Sequence, residues 1–339
     1  MIEKLKFELE QDRIETKNLS GSICSEKLKY DETKPHILSF SGGQTSGFML
    51  WNQIQRYGIV EFNKRFKVIF ENTGKEHDET LNFVHNVETG WSVPIIWLEY
   101  TRVPARDINP DWVPAGVARS NLIKKQDGNE SAHWFKVVSF DSAKRRDDPN
   151  TPFDELLRWA NVLPNVRTRS CSVQLKVRTR DRYLRFNGIE HFNAYIGIRK
   201  DEDHRKLEIL ANIDRYEMPQ FPLCDDGTTK CDVDSFWDKH DFKLNIPNHM
   251  GNCDLCFLKA KRKLVLAAKM DNKAAEWWRL WEEKFASKTY GDGAFFNKSR
   301  SYASIIEEAK MPELFDEIDE DVACSCAIGG YRNKNNEEE

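Results

Sequence analysis

The sequence predicts an α/β protein whose core is a parallel sheet flanked by helices, and three observations carry that expectation. Strand-length apolar runs stand at Ile37-Leu38-Ser39-Phe40, Phe66-Lys67-Val68-Ile69-Phe70 and Ile95-Ile96-Trp97-Leu98-Glu99-Tyr100. Segments with helical apolar spacing separate them, an alternation that builds βαβ units rather than hairpins. The runs also end alike, in polar turns: Ser41-Gly42-Gly43 after the first, Asn72-Thr73-Gly74-Lys75-Glu76 after the second, and Lys200 to Arg205 after a later run from His191 to Arg199. Ligands of open α/β sheets bind at strand carboxyl ends, so these turns should line one crevice.

Taken in order, the first strand and its turn lead into a helix from Phe48 to Arg56, and the second into a helix over Thr80–Val87 that stops by Gly90. Residues 101–150 are rich in Pro, Asp, Asn and Lys with little periodicity, which predicts a long excursion over the site. A helix over Phe153–Trp159 follows, then another reaching Tyr183 and Leu184. Beyond residue 220 the sheet pattern fades. Cys253-x-x-Cys256 is expected to open a helix over Phe257–Leu264, and a second helix runs from Ala274 to Phe285. Trp277, Trp278, Trp281 and Phe285 recur there at spacings that mark a buried helix face more readily than a base-stacking surface. A short helix then leads to Cys324-Ser325-Cys326. The expected organisation is an N-terminal extension over 1–30, a nucleotide-binding α/β domain over 31–220, a mostly helical Cys-containing region over 221–330, and a disordered polar tail over 331–339.

Composition limits the function. With 339 residues and 40% hydrophobic content the chain can bury a real core. The net charge of −4, from 51 Lys+Arg against 55 Asp+Glu, gives no global field for nucleic acid, so any anion site must be local. Cations gather in the second half of the sheet: Arg167, Arg169, Lys176, Arg178, Arg180, Arg199 and Arg205, most of them expected on solvated helix surface. There is no apolar run of about 18 residues and no apolar signal core at the N-terminus, which predicts a cytoplasmic protein with no membrane partner. Of the eight cysteines, Cys24, Cys224 and Cys231 are scattered, whereas the C-x-x-C and C-x-C pairs offer four soft ligands for zinc or a [4Fe–4S] cluster.

The turn after the first strand has the make-up of a phosphate loop. Two glycines let the backbone approach an anion, and helix N-terminal amides with Ser and Thr hydroxyls can donate to phosphate oxygens. It is neither G-x-x-x-x-G-K-[ST] nor G-x-G-x-x-G. Ser41-Gly42-Gly43-Gln44-Thr45-Ser46 resembles the PP-loop, S-G-G-x-[DT]-S, of the N-type ATP pyrophosphatases, with Thr45 where many members carry Asp. Four further pieces follow in family order: Phe70 to Glu76 with Thr80-Leu81-x-Phe83-Val84; Arg169-Ser170-Cys171-Ser172-x-x-Leu175-Lys176; Gly197-Ile198-Arg199 with Glu202 and Arg205; and Asn252-Cys253-x-x-Cys256. Over about residues 36–260 the chain resembles the phosphoadenosine phosphosulfate reductase-like branch of that superfamily.

The resemblance implies an adenine nucleotide alpha hydrolase-like (Rossmann-like) fold. It implies ATP with Mg2+, held by Ser39, Ser41, Gly42, Gly43, Gln44, Thr45 and Ser46, and bordered by Asn72, Thr73, Gly74, Glu76 and Gly197. Lys176, Arg199 and Cys171 are its implied catalytic residues. In the adenylylsulfate reductases of the branch a Cys-Cys pair and a distant C-x-x-C hold an iron–sulfur cluster; here Cys171 stands alone, 82 residues before Cys253 (253 minus 171). Two arrangements stay open: Cys253, Cys256, Cys324 and Cys326 closing a site with Cys171 free, or Cys171, Cys253 and Cys256 holding a cluster. Analogy with related sulfur-transfer members puts [4Fe–4S] ahead of zinc. The Glu-Cys-Gly-Leu-His nucleophile segment of the sulfonucleotide reductases is absent. The expected function is therefore adenylation of a DNA or tRNA acceptor for sulfur transfer, with a sulfur donor such as a cysteine desulfurase. Sulfonucleotide reduction, or an ATP-binding regulatory module with structural zinc, are the alternatives.

Overall fold

A computed structural model describes residues 30–101, 134–160, 162–211, 217–247, 249–287 and 294–312. It is an α/β protein with a six-stranded, mostly parallel, Rossmann-like sheet flanked by helices. β1 (His36–Ser39) leads into α1 (Gln44–Tyr57) and α2 (Ile59–Arg65); β2 (Phe66–Asn72) into α3 (Asp78–Gly90); then come β3 (Ile95–Thr101) and β4 (Trp134–Val138). After α4 (Pro152–Trp159), a π-helix (Ser172–Val177) runs directly into α5 (Arg178–Phe186), followed by β5 (Phe192–Tyr195), α6 (Asp203–Ala211) and β6 (Glu217–Gln220). The remaining helices are α7 (Pro222–Asp225), α8 (Lys230–Trp237), α9 (Lys261–Met270), α10 (Asn272–Ala286) and α11 (Tyr302–Ala309).

The strand order is β4-β3-β2-β1-β5-β6, with β4 alone antiparallel to its neighbour. The chain leaves β1 toward β2 on one side and returns to β5 on the other, aligning Leu38 with Val68 and Tyr195. The switch point of the sheet thus lies between β1 and β5, where the loops after those strands must diverge and open a crevice.

Parallel strands covered on both faces read as continuous apolar runs, and these do. Leu38, Val68, Phe70 and Trp97 face a core shared with Met49, Leu50, Val84 and Trp237, while their neighbours Ile37, Ile69 and Leu98 meet Leu184 and Ala194 on the other side. A further core joins Tyr100, Phe153, Leu157 and Leu175 to Phe257, Leu264, Trp278, Phe285 and Tyr302, seating α9–α11 against the end of β3 and the π-helix. The α10 aromatics Trp278, Trp281 and Phe285 are buried, as their spacing predicts. Among the described residues no helix is long and apolar enough to cross a membrane.

Several expectations need correction. The run expected over 191–199 pairs as a strand only over Phe192–Tyr195, and Glu217–Gln220 adds an edge strand that apolar periodicity does not reveal. Of the 101–150 excursion, 102–133 lies outside the described residues, while Trp134–Val138 is a strand and 139–150 are turns. The helix expected from Phe257 starts only at Lys261, because Leu255 takes φ 28° and Lys259 turns back onto the Cys256 carbonyl. Arg180 and Arg205 are not solvated: Arg180 is bonded to Glu217 and Asp181, and Arg205 to Glu202.

Candidate functional site

The loop after β1 owes its shape to Gly42 and Gly43. Gly42 has φ 73°, and a Cβ there would stand 2.7 Å from Thr80 Cγ2, so the loop lies directly on α3. Gly43 caps α1 in extended geometry with no side chain on the helix's first amides. An uncapped N-terminus at the carboxyl edge of a parallel sheet is an anion-binding arrangement. Ser41 Oγ lies 3.0 Å from Ser46 Oγ, which donates to the Gly43 carbonyl at 2.9 Å, so both hydroxyls stand within the loop. Ser39, the last residue of β1, sits in the sheet opposite Ile69.

Two distant segments close on this loop. Asn252 donates to the Ser41 carbonyl at 2.8 Å, and a Cβ on Gly43 would press on its carboxamide at 3.1 Å. From the other side of the switch point Gly197 packs on Ser46, where a Cβ would lie 3.2 Å from the Ser46 Cα. Arg199 donates to Thr45 Oγ1 at 3.0 Å, to Asp201 at 2.9 Å, and pairs with Glu202 at 3.3 Å. Glu202 also holds Arg205, whose buried Nε and Nη2 have no acceptor. Uncompensated buried donors in this cationic group fit an anionic ligand better than a closed structural ion pair.

The turn after β2 is the second wall. Its organiser is Glu76, 1% exposed, which accepts from Thr73 N at 2.9 Å, from Thr73 Oγ1 and from Lys75 N, and lies 3.8 Å from Lys176 Nζ. Asn72 holds that turn in place. Its carboxamide donates to Glu99 at 2.7 Å and to the Lys144 carbonyl at 2.9 Å, and accepts from Gly74 N, so it braces the turn. Gly74, at φ 70°, lies so close to Thr151 that a Cβ would meet it at 2.6 Å.

The C-x-x-C loop docks on this wall. His77 N donates to the Asn252 carbonyl, Asp254 N donates to the Lys75 carbonyl at 2.8 Å, and Cys253 Sγ lies 3.6 Å from Thr73 Oγ1. Cys171 immediately precedes the π-helix that carries Lys176, a rare element that recurs at functional sites. Two of the non-glycine residues with positive φ flank these thiols: Arg169 (42°) before Cys171, and Leu255 (28°) inside the C-x-x-C. Such strain persists only where the surroundings enforce it, and Tyr302 Oη from α11 grips the Leu255 carbonyl.

Electrostatically the three thiols form one neighbourhood. Burial, then the proximity of Cys256, pushes the Cys171 thiol up to about 12, with Ser172 and Lys176 only partly opposing. Burial, then Glu76, raises Cys253. None of the three is in a disulfide. Among the described residues, however, no group of three His, Cys, Asp or Glu could hold a metal ion, and Cys324 and Cys326 lie outside those residues. The three described thiols alone do not make up a metal site, the arrangement with Cys324 and Cys326 lies outside the described residues, and no chemistry is routed through either.

The structure brings Ser41, Gly43, Thr45, Ser46, Gly197 and Arg199 together at the loop after β1, and Thr73, Glu76, Lys176 and Cys253 together at the turn after β2. Asn252, Glu99, Asp254 and Trp237 were given no role by sequence. Asp254 accepts from Trp278 and pairs with Lys75 at 3.2 Å, and Trp237 donates to the Gln44 carbonyl at 2.9 Å. Only Asn252 had a signal, its place beside Cys253.

The chain is 28% identical over 266 residues to the uncharacterized nin region protein ORF290 of Escherichia phage lambda, an alignment covering 76% of this chain and 77% of that protein. No family model matches the sequence. No solved structure matches it.

Proposed function

We propose that the chain is an ATP pyrophosphatase of the phosphoadenosine phosphosulfate reductase-like branch, with an adenine nucleotide alpha hydrolase-like fold, that adenylates an oxygen of a nucleic-acid acceptor for sulfur transfer. The observation that supports this reading most is the meeting, at one sheet switch point, of five segments that resemble that branch in type and order. Asn252 and Arg199 lie far from the loop in sequence, yet both bond to it.

In the proposed reaction ATP enters as its magnesium complex, which neutralises phosphate charge. The α1 amides with Ser41, Thr45 and Ser46 hold the phosphates, while Lys176, oriented by Glu76, stabilises charge on the leaving group. An acceptor oxygen attacks the α-phosphorus, the bond to the bridging oxygen breaks, and pyrophosphate departs. The persulfide of a donor such as a cysteine desulfurase partner passes its outer sulfur to the Cys171 thiolate, leaving the partner's free thiol. The terminal sulfur of the Cys171 persulfide then attacks the activated acceptor atom, the bond from that atom to the AMP oxygen breaks and AMP departs, and two external thiols reduce the remaining S–S bond, leaving as a disulfide. Burial keeps the Cys171 thiol protonated near neutral pH, so a base or bound ligand must first change its surroundings.

The test is pyrophosphate release from ATP by purified protein in the presence of candidate acceptors. Lys176→Ala should lower the rate about 100-fold, the loss typical for one charge-stabilising donor. Ser41→Ala and Gly43→Ala should lower it too, the latter by pressing on Asn252. Rates equal to wild type in all three would sink the reading.

A further inference from the structure

A cavity of about 510 Å³ opens beside the crevice, and no loop residue from 41 to 46 lines it. The volume is within the roughly 300–1,000 Å³ of small-molecule sites. Its connection to the candidate site is the turn after β2. On one side Thr73 and Glu76 face Lys176 and Cys253, whereas the Lys75 side chain enters the cavity wall, 4.1 Å from the Trp277 ring centre. The Thr73 carbonyl accepts from Phe153 N, so α4, which supplies Asp154 and Arg158 to the cavity, hangs on the same turn.

The lining combines aromatic rings with cations. Trp277 and Trp281 both donate their indole N–H to Asp154 Oδ1, at 3.0 and 3.3 Å, which fixes the two rings. Lys284 stands 4.5 Å from the Trp281 ring centre. The carboxylates in the lining are already engaged: Asp154 by the indoles, Asp147 by Lys273 at 3.0 Å, and Asp148 by Arg145 N at 2.8 Å. The cations are less well matched. Arg146 reaches Asp271 but leaves its buried Nε with no acceptor, and Arg158 donates to the neutral Asn150 carboxamide. Fixed indoles beside cations with unmet donor capacity suit a flat aromatic group carrying an anion, since rings stack and guanidinium groups bind phosphate.

We propose that this cavity is a subsite for the acceptor strand and holds one nucleotide of a single-stranded nucleic acid, its base against the half-buried Trp277 ring and its phosphate on Arg146 and Arg158. The inference rests on the reading of the crevice as an adenylating site, because an acceptor must lie next to the nucleotide that activates it. One turn, Asn72 to Glu76, forms the wall between the two.

The test is fluorescence anisotropy with a labelled single-stranded oligonucleotide across a salt series, alongside competition by an unlabelled mononucleotide. Arg158→Gln and Lys284→Gln, both exposed side chains outside the crevice, should each weaken oligonucleotide binding several-fold. Arg158→Gln should also lower the slope of log K against log[salt] by about 1, one phosphate contact. ATP binding, to which neither side chain contributes, should be unchanged in both variants when followed by equilibrium dialysis. A mononucleotide that competes only weakly identifies a strand rather than a free nucleotide as the occupant; one that competes as well as the oligonucleotide overturns the strand assignment. Wild-type affinity and salt slope in both variants overturn the subsite. If no pyrophosphate is released by any variant while oligonucleotide binding still depends on Arg158, the ATP reading falls and the subsite stands.

Discussion

Gly42 carries two constraints at one Cα, the left-handed φ of 73° and the contact with Thr80, and each excludes a side chain on its own. Alanine in left-handed geometry costs roughly 1–2 kcal/mol, and overpacking against a buried helix adds about 1–3. Gly42→Ala should therefore destabilise the fold by about 2–5 kcal/mol in urea titration, whereas Gly43→Ala, in extended backbone, should cost under about 1 kcal/mol and act on the ligand. Equal losses from the two would contradict this division of roles. The loop itself was legible in sequence because its constraint is local: only glycine tolerates that backbone, and the hydroxyls stand within six residues. The bond of Asn252 to Ser41 was not, since it spans 211 positions and nothing in the intervening chain encodes it. The bracing bonds of Asn72 were hidden for the same reason; its partners Glu99 and Lys144 come from other strands and turns.

At the scale of elements, the buried ion pair between α5 and β6 links the helix that follows Lys176 to the sheet edge. Arg180 reaches Glu217 at 2.7 Å with both side chains under a tenth exposed. Arg180 keeps Asp181 at 2.9 Å when Glu217 is neutralised, so Glu217→Gln should cost less than a stranded buried charge, about 1–3 kcal/mol, and a loss below about 0.5 kcal/mol would show the pair to be solvated. Neither element was fully visible in sequence. Glu217-Met218-Pro219-Gln220 contains a proline that only an edge strand accommodates, and the π-helix shares its residue preferences with an α-helix. A second element-scale device is Glu282 on α10, which accepts from Phe296 N at 3.3 Å and Tyr302 N at 2.7 Å, holding α11 and with it the Leu255 turn. Burial pushes its carboxyl up from 4.5 to about 7. The folded chain keeps this proton where the unfolded chain has lost it, so the contribution to stability is fully present below about pH 4.5 and is lost as pH rises to about 7. At 1.36 kcal/mol per unit the loss is about 3 kcal/mol. Wild type minus Glu282→Gln stability should carry that slope between pH 5 and 8, and a flat difference would mean the carboxylate is ionised throughout.

For the whole molecule, the strand-turn pattern gave the α/β class before any coordinates, because parallel strands buried on both faces must be apolar throughout and their carboxyl ends polar. The division into a sheet domain over 31–220 and a helical region over 221–330 is less natural energetically than in composition. Trp278, Phe257 and Tyr302 share one core with Tyr100 of β3 and Leu175 of the π-helix, and Trp237 of α8 lies in the core beside Phe83 and Leu38. Each of these contacts removes apolar surface that a separated sheet domain would expose, at roughly 25 cal/mol per Å². Two regions that complete each other's core should unfold together. Urea unfolding followed by tryptophan fluorescence, weighted toward α8 and α10 with four of the ten tryptophans, Trp237, Trp277, Trp278 and Trp281, should therefore coincide with unfolding followed by far-ultraviolet dichroism. A chain truncated after residue 260 should fail to give that cooperative transition, because Phe153, Leu156 and Leu157 on α4 lose their cover and Asp254 loses Trp278. Two separated transitions in the full chain, or a truncated chain as stable as the whole, would instead show that the Asn72–Glu76 wall stands without the C-terminal helices.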